Sequence, residues 1–227
     1  MSNRNQHNSK PLKVEAKELR RLQQLTYFEK KGYREGFKAI AGVDEAGRGP
    51  LAGPVAAAAC IIPSNIFFSG VDDSKRLTPA QRAFLFKEIT RHPRVNYGVA
   101  MVTSEKIDRI NILQATILAM LEAVAKLVLI PDLLLVDGMC LPHPSIPSRK
   151  IVQGDTKSQS IAAASILAKV LRDRLMEEYH KKWPQYGFAQ HKGYGTKAHR
   201  EAIIRYGPCP IHRLTFEPVK SLVSSFV

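Results

Sequence analysis

Leu133-Leu134-Leu135-Val136-Asp137 is an unbroken apolar run closed by a carboxylate and followed by Gly138. A strand with no polar alternation has no face to give to water, so it belongs inside a sheet covered on both sides. That requirement calls for a layered fold in which helices supply the covers. Further strand signals lie at Ala39–Asp44, Val55–Ile62 and Val95–Thr103, and a last one at Lys150–Gln153. Helical patterns separate them. Thr78 before Pro79 marks a helix start, and that helix runs to Thr90. Asn111 with Gln114 has the spacing of a capping box and opens a helix through Leu127. A long helix runs from about Ser158 to Lys182 and stops before Pro184; Thr196 caps another that ends at Gly207-Pro208. Strands mixed with helices predict an α/β or α+β domain.

The 227 residues suffice for one large domain, or one with an appendage. Residues 1–11 are polar and read as disordered. Residues 13–31 carry Val14, Leu19, Leu22, Leu25 and Phe28 among charged residues, the pattern of an amphipathic helix packed on the main domain. Ile110 to Val136 is the most apolar stretch, but Asn111, Gln114, Glu122, Lys126, Pro131 and Asp132 interrupt it, which makes it a buried helix followed by a strand and not a membrane span. Cys60, Cys140 and Cys209 are far apart, with no C-x-x-C pair; they predict reduced thiols, neither a disulfide framework nor a zinc site. No secretory signal is visible, and a cytoplasmic location is expected.

The net charge of +14 fits a polyanionic partner. Its placement is uneven. Residues 1–38 net +6, residues 39–148 net zero and residues 149–213 net +8. The neutral middle holds Asp44-Glu45 and Asp137, with Asp155 just beyond. Each of these carboxylates ends a strand or lies in the loop after one, where functional groups of layered α/β folds collect. Any one alone reads as a turn acid, and Asp155 also as a helix cap. Together they suit a hard divalent cation such as Mg²⁺ or Mn²⁺. Adjacent strand residues face opposite ways, so Asp44 and Glu45 share a site only if the strand bulges or bends. Gly47-Arg48-Gly49 follows at once, a turn with exposed N–H groups and a guanidinium suited to a phosphate or a sugar edge. Lys75 and Arg76 sit in a polar loop and can meet phosphates, or simply solvent. Tyr194 stands between Gly193 and Gly195 and can stack on a base, or simply pack in the core or decorate the surface. No G-x-S-x-G elbow and no G-x-x-x-x-G-K-[ST] loop is present.

Set in order, these segments resemble a known family. Gly42-Val43-Asp44-Glu45-Ala46-Gly47-Arg48-Gly49-Pro50-Leu51-Ala52-Gly53-Pro54-Val55 is similar to the opening signature of bacterial ribonuclease HII, the type 2 ribonuclease H. Asp73-Ser74-Lys75-Arg76-Leu77, Val136-Asp137-Gly138, Gly154-Asp155-Thr156-Lys157-Ser158, Ser160 to Asp173, His191 to Thr196, His212-Arg213 and Phe216 to Val219 follow in the family's order. The resemblance covers roughly residues 38–220. It implies an α/β, ribonuclease H-like fold: a mixed central sheet flanked by helices, with a helical C-terminal region. It divides the chain into a basic, partly helical extension (1–37), a catalytic domain (38–220) and a tail (221–227).

The resemblance implies catalytic and metal-binding roles for Asp44, Glu45, Asp137 and Asp155, with two divalent cations, Mn²⁺ or Mg²⁺. It puts Gly47, Arg48 and Gly49 at the ribose 2′-OH, Lys75 on a phosphate, and Tyr194 in a stack beside the junction of ribonucleotide and deoxynucleotide. The implied partners are RNA–DNA hybrid and ribonucleotide-containing DNA, cut 5′ to the ribonucleotide by a monomer. Arg48 favours this family over its sister, ribonuclease HIII, which typically has lysine there. A non-catalytic hybrid- or duplex-binding protein is one alternative; a basic structural or assembly protein without a metal is another, and it leaves the acidic cluster unexplained.

Overall fold

The structure, a computed structural model, describes residues 16–223. The polar run 1–11 and Val14 lie outside these residues, as does most of the 221–227 tail. Strands β1 (Ile40–Ala46), β2 (Val55–Ile61), β3 (Asn96–Val102), β4 (Leu133–Asp137) and β5 (Ser148–Ile151) form one sheet in the order β3-β2-β1-β4-β5. β1, β2 and β3 pair antiparallel, while β1, β4 and β5 run parallel. The apolar run 133–137 is therefore an inner strand, as its composition demands. Leu133 to Val136 are at most 1% exposed, and each contributes about 1.5–3 kcal/mol by burial.

Helix α4 (Ser104–Ala125) covers one face, packing on Ala41, Val43, Ala57, Ala59 and Val136. The other face is covered by α1 (Ala16–Leu25), α2 (Tyr27–Arg34), α3 (Pro79–Arg91) and the long α5 (Gln159–Lys182). Small residues set how closely the layers meet. A Cβ on Gly42 would lie 2.1 Å from the Ser160 carbonyl carbon, so only glycine lets the first turn of α5 rest on β1. The C-terminal part, α6 (Phe188–His191), α7 (Lys197–Tyr206) and α8 (Val219–Val223), gathers on Leu51, Met176, Tyr186 and Ile211. No helix among the described residues is long and apolar enough to cross a membrane.

Local signals set most helix starts. Thr78 and Gln81 form a reciprocal capping box at α3, and Ser158 and Thr196 cap α5 and α7. Several boundaries differ from expectation: β1 runs two residues past Asp44 to Ala46, α4 ends at Ala125 and not Leu127, and two further differences have a local cause. α4 begins at Ser104, where the Thr103 hydroxyl accepts from Lys106 N, seven residues before Asn111. Asn111, at φ 64° and ψ 166°, breaks the helix, and its Oδ1 accepts from Gln114 N at 3.1 Å to restart it. β5 lies two residues earlier than predicted, because Gln153 adopts φ 56° and cannot extend a strand.

The amphipathic segment predicted for 13–31 is two helices broken at Thr26. Leu22 and Leu25 are buried, whereas Leu19 stays 39% exposed. From α2, Glu29 enters the interior. Its Oε1 accepts from the Ser158 hydroxyl, the Ser160 hydroxyl and Ser160 N at 2.6, 2.6 and 2.9 Å, while Oε2 is buried with no partner. A carboxylate at the first turn of α5 also meets the positive end of the helix dipole. Glu29→Ala leaves buried donors unsatisfied and is expected to cost about 2–4 kcal/mol in urea unfolding. A loss under about 0.5 kcal/mol would show that water replaces the carboxylate there.

Candidate active site

The position of the acids follows from the pleat and the strand order. Val43 pairs with Val136 across the parallel β1–β4 ladder, so Asp44 and Asp137 are the next residues on both strands. Ala41, Val43, Leu134 and Val136 face α4, hence Asp44 and Asp137 face α5. Asp155 comes from the 3-10 turn Gly154–Thr156 that leads into α5. One carboxylate oxygen from each of Asp44, Asp137 and Asp155 lies within 4.8 Å of the others. Asp155 does not cap α5; Ser158 does.

Glu45 stands apart from this triad. β1 keeps unbroken register with β2 through Ala46, so there is no bulge to bring Glu45 into the group of three. It remains at the rim, with Oε1 3.5 Å from Arg48 Nη1. The backbone orients two of the acids. Asp44 Oδ1 accepts from Glu45 N at 2.7 Å, and Asp137 Oδ1 accepts from Gly154 N at 2.6 Å.

So many carboxylates in so little space repel one another. Burial pushes the Asp44 carboxyl well above its ordinary range, and Glu45 and Asp137 push it further, against a hydrogen bond from Ser165. Glu45 is raised by burial and by Asp137, with Arg48 opposing. Asp155 rises to about 6, through burial first and then Asp73 and Asp137, while Lys75, 3.9 Å away, holds it down. Burial opposes charge on Lys75 as well, but Asp73, Asp155, Asp44 and Asp137 outweigh it and raise that amine. Closely spaced oxygen donors with surplus negative charge fit a hard divalent cation.

The folded protein thus holds a proton on Asp155 more tightly than the unfolded chain, whose carboxyl is at 3.8. This contribution favours folding below pH 3.8 and is lost as pH rises through 6. Asp155→Asn is therefore expected to stabilise the metal-free protein by about 1–2 kcal/mol at pH 7.5, solvent screening taking up part of the shift, a gain that fades towards pH 4. Urea unfolding in EDTA at both pH values measures it; an equal gain at both would refute the electrostatic origin.

Beside the acids, Gly47 (φ +94°), Arg48 and Gly49 form a turn in which the Gly47 and Arg48 carbonyls point inward. Arg213 is fully buried and donates to Gly47 O at 2.5 Å, Arg48 O at 2.7 Å and Gly53 O at 2.9 and 3.0 Å. Arg172, also buried, donates to Pro54 O, Ala52 O and Lys192 O. Leu51 N bonds Gly193 O at 2.8 Å, tying the turn to the loop that carries Tyr194. Tyr194 is 46% exposed, and a Cβ on Gly49 would sit 3.9 Å from its Cε1. Arg48, Gly49 and Tyr194 thus form one rim, linked to the acids through Glu45.

Sequence reasoning missed the buried guanidiniums. Arg172 and Arg213 counted towards the basic excess of 149–213, yet neither can reach a partner's phosphate. It also saw only cations in the 73–78 loop, where Asp73 helps raise Asp155. Nothing local distinguishes an arginine aimed at carbonyls more than 100 residues away.

The class is defined by this sheet with carboxylates at the ends of adjoining parallel strands, and by its solved neighbours. Ribonuclease H2 from Pyrococcus horikoshii OT3 superposes with a TM-score of 0.69 at 30% identity, covering 83% of this chain and 99% of that one. Bst-RNase HIII in complex with Mn²⁺ shares the fold, with a TM-score of 0.61 at 17% identity over 86% of this chain and 72% of that one. The fold is that of a ribonuclease H, a phosphodiester hydrolase.

Residues 41–219 match the model of the family described as Ribonuclease HII. Ribonuclease HII of Chlamydia pneumoniae is 54% identical over 205 residues, covering 90% of this chain and 95% of that protein. The chain belongs to the ribonuclease HII family.

Proposed function

We propose that this chain hydrolyses the RNA strand of RNA–DNA hybrids and cuts 5′ to ribonucleotides embedded in duplex DNA, leaving a 5′-phosphate and a 3′-hydroxyl. The observation that carries the reading is the meeting of Asp44, Asp137 and Asp155 within 4.8 Å, beside a rim made by Arg48, Gly49 and Tyr194. These three acids, with Glu45 at the edge, would hold two divalent cations, Mg²⁺ or Mn²⁺. Bound there, such ions supply Lewis-acid stabilisation of the charge that develops on the phosphate.

The chain's own groups do the selecting. Gly47, Arg48 and Gly49 offer donors to the ribose 2′-OH, the group that separates RNA from DNA. A site built for a hydroxyl rejects a substrate lacking it by up to roughly 10⁴–10⁵. Lys75, 79% exposed at its side chain beside Asp155, contacts a neighbouring phosphate. Tyr194 stacks at the junction of ribo- and deoxynucleotide, where stacking on an aromatic is worth roughly 1–3 kcal/mol per base.

A DNA duplex with one internal ribonucleotide, incubated with Mg²⁺, Mn²⁺ or EDTA, tests the reading. Cutting 5′ to the ribonucleotide, abolished by EDTA, is expected. Binding without cutting would assign the chain to hybrid recognition alone. Tyr194→Ala is expected to slow junction cutting roughly tenfold more than degradation of a uniform hybrid; equal losses on both would remove the stacking role.

A further inference from the structure

Three histidines outside the acidic site hold the loop that presents Tyr194. His199 and His212 are fully or almost fully buried, and their Nε2 atoms are 3.0 Å apart. Two imidazole nitrogens at that distance share one hydrogen, and the backbone decides which ring owns it. Cys209 N–H points at His212 Nδ1 at 2.9 Å, so Nδ1 is an acceptor, although Cys209 O lies 3.2 Å from the same atom. The proton of neutral His212 is then on Nε2 and is donated to His199 Nε2. His199 in turn carries its proton on Nδ1, which lies 2.9 Å from Tyr194 O. The chain reads in one direction: Cys209 N–H to His212, His212 to His199, His199 to the Tyr194 carbonyl.

His191 closes the loop from the other side. Its Nε2 lies 2.7 Å from Tyr186 O and so carries the proton, which leaves Nδ1 to accept from Gly193 N at 3.2 Å. Its ring stacks on His199 with centroids 4.4 Å apart. One imidazole therefore receives the N–H of Gly193, and a second donates to the carbonyl of Tyr194. The bonds accepted by His212 Nδ1, His199 Nε2 and His191 Nδ1 each require a neutral ring in one tautomer. Burial keeps His199 and His212 at about 4, so both are neutral at pH 7.

We propose that the His212–His199 relay is a positioning device that fixes the Tyr194 backbone, and so the ring beside Gly49, making His199 a specificity-determining residue for junction cutting. The inference rests on the stacking role proposed for Tyr194. His199 makes no hydrogen bond to the acids or to the rim side chains; it acts through the Tyr194 carbonyl.

The test compares kcat/KM on a single-ribonucleotide duplex with kcat/KM on a uniform RNA–DNA hybrid, for folded variants checked by urea unfolding. His199→Ala is expected to lower the ratio by about threefold to tenfold. His199→Asn, whose amide puts a donor near the position of Nδ1, is expected to restore most of it. In a Tyr194→Ala background, His199→Ala is expected to change the ratio no further, because its effect passes through that residue. If His199→Ala does not fold, His212→Leu reports instead, since it frees His199 to exchange tautomers and is expected to lower the ratio about twofold. An unchanged ratio in the reporting variant, a failure of His199→Asn to rescue, or additive losses in the double variant would overturn the proposal. An unchanged ratio in Tyr194→Ala alone would overturn the stacking role instead, so the two failures are distinguishable.

Discussion

Asp44→Asn is expected to bind substrate as the wild type does and to lose cleavage by at least about 10³-fold, about 4 kcal/mol of transition-state stabilisation. The side chain is 5% exposed, so its charge has little solvent to support it. It faces Asp137 across the ladder and meets Asp155 within the same 4.8 Å cluster. Asparagine keeps the volume and can still accept from Glu45 N, so the backbone has no reason to move. What disappears is one negative charge, and with it the attraction for a divalent cation. Loss of repulsion should leave the variant at least as stable as the parent. Single-turnover cleavage beside a binding isotherm on the same duplex checks this; turnover near the parental rate would remove Asp44 from the reaction.

Arg213→Leu is expected to cost about 3–5 kcal/mol of stability. The guanidinium makes four hydrogen bonds to three carbonyls, those of Gly47, Arg48 and Gly53, and lies 4.9 Å over the Phe216 ring. Removing it strands three buried acceptors, at about 1–3 kcal/mol each. Relief from desolvating a charge offsets part of that: burial lowers the Arg213 pKa to about 9, with Arg172 adding to the effect. Arg213→Lys keeps the charge but not the fork, and should lose roughly half as much. The same carbonyls shape the Gly47–Gly49 turn, so cleavage by Arg213→Lys should fall through KM before kcat. Urea unfolding of both variants decides the stability claim, and a cost under about 1 kcal/mol for Arg213→Leu would show that the turn holds its shape unaided.

Much of the fold is legible in the chain because the signals are short-ranged. The leucine run of β4, the caps at Thr78 and Thr196, and the stop before Pro184 each depend on a few neighbouring residues and lie where the sequence places them, whereas the cap of α5 is Ser158 and not Asp155. The misreadings are also local in origin. Asn111 does cap a helix, but one already begun at Thr103. Gln153 reads as a strand residue, but its positive φ lies beyond the end of β5. At the site, the chain named the acids but could not rank their distances. Glu45 adjoins Asp44 in sequence and still falls outside the triad, because β1 runs on without the bulge that would bring both into it.

The sequence by itself determined which groups were available: carboxylates at strand ends, a Gly-Arg-Gly turn, a tyrosine between two glycines and a surplus of cations. The tertiary structure alone decided which of them meet. Asp44 and Asp137 are 93 positions apart and become neighbours only because β4 lies parallel beside β1. Arg213, Arg172 and the His199–His212 pair take their purpose from carbonyls and rings supplied by distant segments. Short-range periodicity and capping are written in adjacent residues. Buried polar partners are chosen by the packing of the whole chain, because a desolvated donor or acceptor must be satisfied by whatever group the fold brings within reach.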